Sequence, residues 1–428
     1  MNERRPGAAR MTVGNQNVRE RVFSAEGKDL RLFIVAGEHS GDALGAKLMA
    51  AINARRRGRM RYVGVGGPQM AHLGLVSQFP MEDVAVMGPG AIIPRLPVLL
   101  QRIHATATAA IAAEPDALVI IDSPEFTHPI ARRVRRRRPE IPIVDYVSPS
   151  VWAWRPGRAA RMRAYVDHVL ALLPFEPDAH QRLGGPPCTY VGHPLIERQP
   201  WIAALDPTPL AERLALPAGT SLLVVLPGSR PSEVKRLMGP FGQALMRLMQ
   251  RGRKFEVAMP VVESVRPVIE EHLAAWPKQP HLLFGEEDKF RAFKLARAAL
   301  AASGTVTLEL AVAGTPMVVA YKVDTVMASP LRFLIRAPTV VLPNLVLGDR
   351  SFPEFLQNDC TPANLANALA PLLDESPARE RQLAALARIP GRLALPRATP
   401  SEAAASVVLY YAENGRGWPH PDLLQDDG

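Results

Sequence analysis

The chain has 428 residues, a hydrophobic fraction of 47% and a formal charge of +10. That length predicts two domains rather than one core, and no run of about 18 uninterrupted apolar residues predicts a spanning helix. Cys188 and Cys360 lie far apart with no CxxC or Cys/His cluster, which argues against a disulfide framework and a zinc site and fits a reducing cytosol.

Residues 1–30 are polar, carry Arg4, Arg5, Arg10, Arg19 and Arg21, and lack an apolar signal-peptide core. They read as a disordered basic extension. From Arg31 short β-rich runs alternate with longer helical ones. Strands are expected at 32–36, 62–65, 117–121, 143–146, 169–172 and 189–191, with helices at 41–55, 97–113 and 129–137. This alternation predicts a mainly parallel sheet covered by helices on both faces. The first domain is placed at 31–200 and a proline-rich polar connector at 201–220.

The alternation then restarts. Strands are expected at 222–226, 256–259, 281–284, 298–301 and 317–320, and helices at 233–251, 265–275, 289–296 and 305–313. A second doubly wound domain is placed at 221–385. Residues 386–428 read as a C-terminal helical segment packing on the first domain. The fold class expected is α/β, two Rossmann-like domains, compatible with GT-B glycosyltransferases and equally with epimerases and other nucleotide enzymes.

Several loops carry candidate chemistry. In AGEHSGD (36–42), glycines permit a tight strand-to-helix turn, and Glu38, Ser40 and Asp42 present polar groups; Ser40 or Asp42 also suits a helix N-cap. Asp122 ends the apolar strand ALVII, a position suited to a general base, and also suits an N-cap. Residues 84–103, VAVMGPGAIIPRLPVLLQRI, contain Met87 and are dominated by apolar side chains, as for a lipid-contacting surface or a buried core helix. In YVSPSVWAWRPG (146–157), Trp152 and Trp154 can wall a sugar or acyl site or pack under a loop. His193 follows a strand near the domain junction, where a hydrogen-bonded structural role is the commoner one.

The segment SLLVVLPGSRPSE (221–233) breaks a buried strand at Pro227 and opens a helix at Pro231, the residue favoured at the first helical position. Gly228 and Ser229 allow close backbone approach, the helix N-terminus offers unpaired N–H groups, and Arg230 adds a forked cation. An anion such as a phosphate fits this arrangement. Ser303-Gly304-Thr305 repeats the pattern, and Glu309 one turn later can accept two vicinal ribose hydroxyls. Asn344 supplies a further polar group. The basic excess, with six arginines in positions 132–138, admits anionic lipid or phosphorylated substrate. No nucleic-acid-binding module signature accompanies it, so no nucleic-acid partner is expected.

Taken together and in order, AGEHSGD (36–42), GVGGPQM (64–70), DSPEF (122–126), YVSPSVWAWR (146–155), LPFE (173–176), VGHP (191–194), LPGSR (226–230), SGTVTLE (303–309), PMVVAYK (316–322) and LPN (342–344) resemble the lipid-A-disaccharide synthase family over about residues 31–375. The resemblance implies an inverting GT-B glycosyltransferase that joins UDP-2,3-diacylglucosamine to 2,3-diacylglucosamine 1-phosphate. It matches Asp122 to the catalytic base, Glu38 to a second active-site carboxylate, and Arg230, Glu309 and Asn344 to nucleotide-associated residues. It further implies a peripheral protein on the cytoplasmic face of the inner membrane of a Gram-negative bacterium, and a homodimer with exchanged C-terminal segments. No acidic metal cluster is evident, so no metal or cofactor is expected and the UDP-sugar is a substrate. One departure is Ala91, where the family usually carries Glu. The alternative is another GT-B enzyme such as a UDP-N-acetylglucosamine 2-epimerase.

Overall fold

The computed structural model describes residues 29–56, 58–84, 89–217, 219–323 and 337–417, side chains excepted at 89–95. The first sheet contains β1 (Leu30–Ala36), β2 (Met60–Val65), β3 (Val76–Ser77), β4 (Ala117–Ile121), β5 (Ile143–Tyr146), β6 (His168–Ala171) and β7 (Cys188–Tyr190), in the order β3-β2-β1-β4-β5-β6-β7. The second contains β8 (Ser221–Leu226), β9 (Phe255–Pro260), β10 (His281–Leu283), β11 (Ala296–Ala302), β12 (Met317–Tyr321) and β13 (Glu354–Leu356), in the order β10-β9-β8-β11-β12-β13. The pairings described are parallel. Central strands covered on both faces need unbroken apolar runs, and ALVII of β4 is buried along its whole length.

Each sheet reverses its winding once, between β1 and β4 and between β8 and β11. The register levels the strand ends there, Ala36 beside Ile121 and Leu226 beside Ala301. Ligands of open α/β sheets bind outside the carboxyl ends at such points. The loops that leave these four ends are AGEHSGD, DSPEF, LPGSR and SGT, so the topology singles out the segments that the sequence marks as chemical.

Among the described residues, 29–84, 100–143 and 405–417 form one compact unit, and 89–99 with 144–404 form the other. Within the first unit, the end of the C-terminal helix Pro400–Asn414 is tied down by an Arg56–Glu413 ion pair at 3.2 Å, an Arg55–Ser406 hydrogen bond and Arg416 donating to the Pro139 carbonyl at 2.6 Å. Within the second unit, one core layer joins β8 and β11 to Leu173, Leu195, Ile202 and Leu205, and the other joins them to the helices Pro231–Gln250 and Pro362–Leu373.

Three local expectations are corrected. The stretch 201–220 is not a bare connector: Gln199–Ala204 and Thr208–Arg213 are helices. Their prolines, Pro200 and Pro209, stand in the first helical turn, where the missing N–H costs nothing. The helix expected at 129–137 starts at Pro124 for the same reason. The helix expected at 97–113 spans Pro89–Ala113.

Candidate active site

In the first unit, β4 ends in two consecutive left-handed residues, Asp122 at φ +51° and Ser123 at φ +44°. Asp tolerates this conformation better than most residues. The Asp122 Oδ1 accepts from the Ser123 N–H at 2.8 Å, and the Thr127 hydroxyl donates to the Asp122 carbonyl at 2.8 Å. The turn thus holds a half-buried carboxylate at the switch point. Gly37, leaving β1, packs against this turn: a Cβ there would lie 2.9 Å from the Ser123 Cβ. The fit requires glycine and brings the Glu38 loop alongside the Asp122 loop. Glu38 is half-buried before the helix His39–Arg55, and Ser40 is exposed.

Asp42, expected to face a ligand, is turned inward instead. It is 1% exposed and accepts from the N–H groups of Gly67, Gln69 and Met70 at 2.9 to 3.0 Å. It caps the short helix Pro68–Ala71 across sequence distance, which binds GVGGPQM to AGEHSGD. Met87 lies outside the described residues. Farther along the same segment, Leu96, Val98 and Leu100 are exposed, Ile103 is buried, and Arg102 pairs with Asp83 at 2.6 Å.

In the second unit a pocket of about 670 Å³ opens at the ends of β8 and β11. Its lining includes Gly228, Ser229 and Arg230 from one loop, Ser303, Gly304 and Thr305 from the other, and Glu309. Gly228 has φ +119°, and a Cβ there would meet Glu233 at 2.7 Å. Arg230 precedes the helix Pro231–Gln250, and its guanidinium lies 3.0 Å from Glu233. The Ser303 hydroxyl donates to the Val340 carbonyl at 2.6 Å.

The lining also contains residues that the sequence reading passed over: Glu233, Glu263, Phe284, Glu286 and Lys289. Four carboxylates face two cations, yet each has a cationic partner. Glu233 meets Arg230, Glu263 meets Arg266 at 3.9 Å, Glu286 meets Arg198, and Glu309 meets Lys289 at 2.9 Å. An anion here would be held by backbone N–H groups at a helix start and by the Arg230 guanidinium, not by the net charge of the lining. Beside this polar end stand Pro260, Val261, Val262 and Phe284, with Val262 and Phe284 exposed. The signal for Lys289 was present: β10 is followed by Phe284, by Gly285 at φ +85° and by a helix, the same strand–glycine–helix pattern.

Three further candidates are engaged within the second unit. Asn344 is buried and absent from the pocket lining. Its amide donates to the Phe352 carbonyl at 2.8 Å and accepts from the Phe352 N–H at 3.0 Å, which closes the loop after the helix Leu342–Leu347. His193 is buried, its Nδ1 accepts from the Leu195 N–H at 3.2 Å, and burial pushes its pKa down to about 4, so it is neutral at pH 7. The Trp152 indole donates to Glu176 at 3.1 Å and meets Phe175 edge-on, whereas Trp154 is exposed under the Arg155 guanidinium. Glu176, which the sequence reading did not single out, is buried and also accepts from the Leu172 and Leu173 N–H groups. Burial outweighs those hydrogen bonds and raises its pKa to about 7. Among the described residues no cluster of metal-ligating side chains occurs, and no helix is long and apolar enough to cross a membrane.

A family model described as lipid-A-disaccharide synthetase matches residues 32–399. A lipid-A-disaccharide synthase of Nitrobacter hamburgensis is 52% identical over 394 residues, covering 92% of this chain and 98% of the relative. One of Rhodospirillum centenum is 44% identical over 382 residues, covering 89% and 94%. Among solved structures, a UDP-GlcNAc 2-epimerase from Neisseria meningitidis superposes with a TM-score of 0.61 at 11% identity, covering 90% of this chain and 99% of that one. A glycosyltransferase from Rickettsia africae gives 0.56 at 10% identity, covering 91% and 99%. At such identities the structures speak for the fold alone, and the two-sheet GT-B class expected from the sequence is theirs.

Proposed function

The chain belongs to the lipid-A-disaccharide synthetase family, a family of glycosyltransferases, and on that premise we propose that it transfers 2,3-diacylglucosamine from its UDP derivative to the 6-hydroxyl of 2,3-diacylglucosamine 1-phosphate. The products are a β-1,6-linked disaccharide 1-phosphate and UDP. The observation that carries the donor side is the second-unit pocket, which gathers two glycine-bearing loops, the start of a 20-residue helix and the Glu309 carboxylate. The epimerase alternative has only the likeness of fold behind it.

Asp122 takes the proton of the acceptor hydroxyl as that oxygen attacks the anomeric carbon. The UDP leaves from the opposite face, through an oxocarbenium-like transition state. Charge that builds on the departing phosphates meets the N–H dipoles of Gly228, Ser229 and Arg230 and the Arg230 guanidinium, which need no reorganisation. This scheme calls on no resident metal or cofactor. Glu38 supports the same site as a second carboxylate, with Ser40 on the acceptor side. Purified protein supplied with both substrates in detergent should release UDP only when the acceptor is present, with a disaccharide product. Acceptor-independent UDP release would favour an epimerase-like or hydrolytic reaction instead.

The membrane reading rests on exposed Leu96 and Leu100, one helical turn apart, and on exposed Arg132, Arg136 and Arg137. Apolar and basic groups of this kind suit an anionic bilayer surface at the cytoplasmic face of the inner membrane. Co-sedimentation with vesicles rich in anionic lipid should weaken with salt and with Leu96→Asn/Leu100→Asn. A homodimer with exchanged C-terminal segments would form the Arg56–Glu413 contact in trans; sedimentation equilibrium tests it.

A further inference from the structure

Lys289 stands on the helix Glu286–Leu295, and its Nζ lies 3.0 and 2.9 Å from the two carboxylate oxygens of Glu309. Both side chains are about one-fifth exposed, at 23% and 22%, so the pair is only partly screened by solvent. The Phe290 ring, its centroid 4.9 Å from the ammonium, holds the lysine from another side. The neighbouring cations are committed elsewhere, Arg230 to Glu233 and Arg198 to Glu286.

An ionised carboxylate offers about four acceptor positions, two on each oxygen. An ammonium that straddles both oxygens occupies one on each. What remains is one acceptor position per oxygen, the arrangement that two hydroxyls on adjacent carbons can satisfy together. A carboxylate free to rotate would lose entropy on binding such a diol, and one already clamped loses less. We infer that Lys289 is a positioning residue that fixes Glu309 as a two-point acceptor for a vicinal diol, and so sets the preference of the pocket for a ribonucleotide over its 2′-deoxy form. This rests on the nucleotide reading of the pocket.

The test is calorimetric titration of the full chain with UDP and with 2′-deoxy-UDP, in wild type, Lys289→Met, Lys289→Arg and Glu309→Gln. Wild type should bind UDP about tenfold more tightly than 2′-deoxy-UDP, the effect of one hydrogen bond to a charged group. Lys289→Met and Glu309→Gln should bring that ratio close to unity, because UDP loses two hydrogen bonds to the carboxylate whereas 2′-deoxy-UDP, which keeps the 3′ hydroxyl, loses one. Lys289→Arg, whose guanidinium can also straddle two oxygens, should restore part of it. A merely structural lysine would lower the melting temperature and leave the ratio intact. Should Lys289→Met not fold, Lys289→Gln, which keeps donors but no charge, carries the same comparison. Wild type that binds neither ligand overturns the nucleotide reading and this inference with it. Discrimination that survives in a folded Lys289 variant overturns the inference alone.

Discussion

Asp122 and Ser123 hold left-handed backbone angles at the end of an otherwise regular apolar strand. Such conformations cost about 1–3 kcal/mol each and persist where the surroundings over-determine them. Here the surroundings are the Thr127 hydroxyl, which grips both carbonyls at 2.8 and 3.1 Å, and Gly37, which leaves room for the turn. Asn tolerates the left-handed region as Asp does, so Asp122→Asn should keep the fold and UDP binding. Turnover should fall by about two to four orders of magnitude, the usual contribution of a general base; near-normal UDP release in this variant would sink the assignment. Gly37→Ala makes the complementary test. Its Cβ would press on the Ser123 side chain at 2.9 and 3.0 Å and on Phe126 at 3.2 Å. A loss of about 1–3 kcal/mol in chemical denaturation is expected, together with reduced turnover, because the displaced turn carries the base. Trp152 makes a different point about single residues. An aromatic next to a proline-rich loop reads equally as a ligand wall or as packing, and only the structure shows its indole bound to a buried glutamate.

At the scale of elements, each chemical loop follows one rule: an apolar strand ends in small or strained residues and a helix begins. That rule was legible in the sequence for AGEHSGD, DSPEF, LPGSR and SGT, because strand burial and glycine placement are local properties. It was equally available for Phe284-Gly285-Glu286, whose helix carries Lys289, but the acidic run there masked the pattern. What was not legible is the direction of a side chain whose partner lies far along the chain. Asp42 looks like a ligand-facing carboxylate until the N–H groups of residues 67, 69 and 70 close around it. Asn344 looks like a nucleotide contact until the backbone of Phe352 takes both ends of its amide. The prolines of 200–209 mislead in the opposite sense, since proline both breaks a helix and starts one. Asp42→Ala should therefore act on stability before activity. It strands the buried N–H groups of Gly67 and Met70 and the part-buried one of Gln69 at the start of the Pro68–Ala71 helix, a loss of about 3 kcal/mol given the cost of unpaired buried donors. Equilibrium unfolding in urea measures it. Unchanged stability with lost turnover would return Asp42 to the ligand side.

For the molecule as a whole, buried titratable groups set how stability follows pH. Burial holds the pKa of His168 and of His193 down to about 4, against an ordinary 6.5. The folded state thus resists protonation, and the stability these histidines contribute is present above pH 6.5 and lost as pH falls towards 4. At 1.36 kcal/mol per pKa unit each loses about 3 kcal/mol across that window. Burial lowers His180 as well, against the opposing charge of Asp145, and it adds in the same direction. Glu176 works the other way. Its pKa rises from 4.5 to about 7, so the folded state favours the proton, and the group stabilises the fold increasingly as pH drops from 7 to 4.5, again by about 3 kcal/mol. The two effects overlap between pH 6.5 and 4.5 and partly cancel. The wild-type protein should be only about 3 kcal/mol less stable at pH 4 than at pH 7 from His168, His193 and Glu176 together. Glu176→Gln removes the compensation and should steepen the acid loss by about the same amount, whereas His168→Asn should flatten it. Urea unfolding at half-unit intervals from pH 7.5 to 4 separates these slopes. Parallel curves for wild type and Glu176→Gln would mean that Glu176 stays ionised throughout, held by the Trp152 indole and the Leu172 and Leu173 N–H groups.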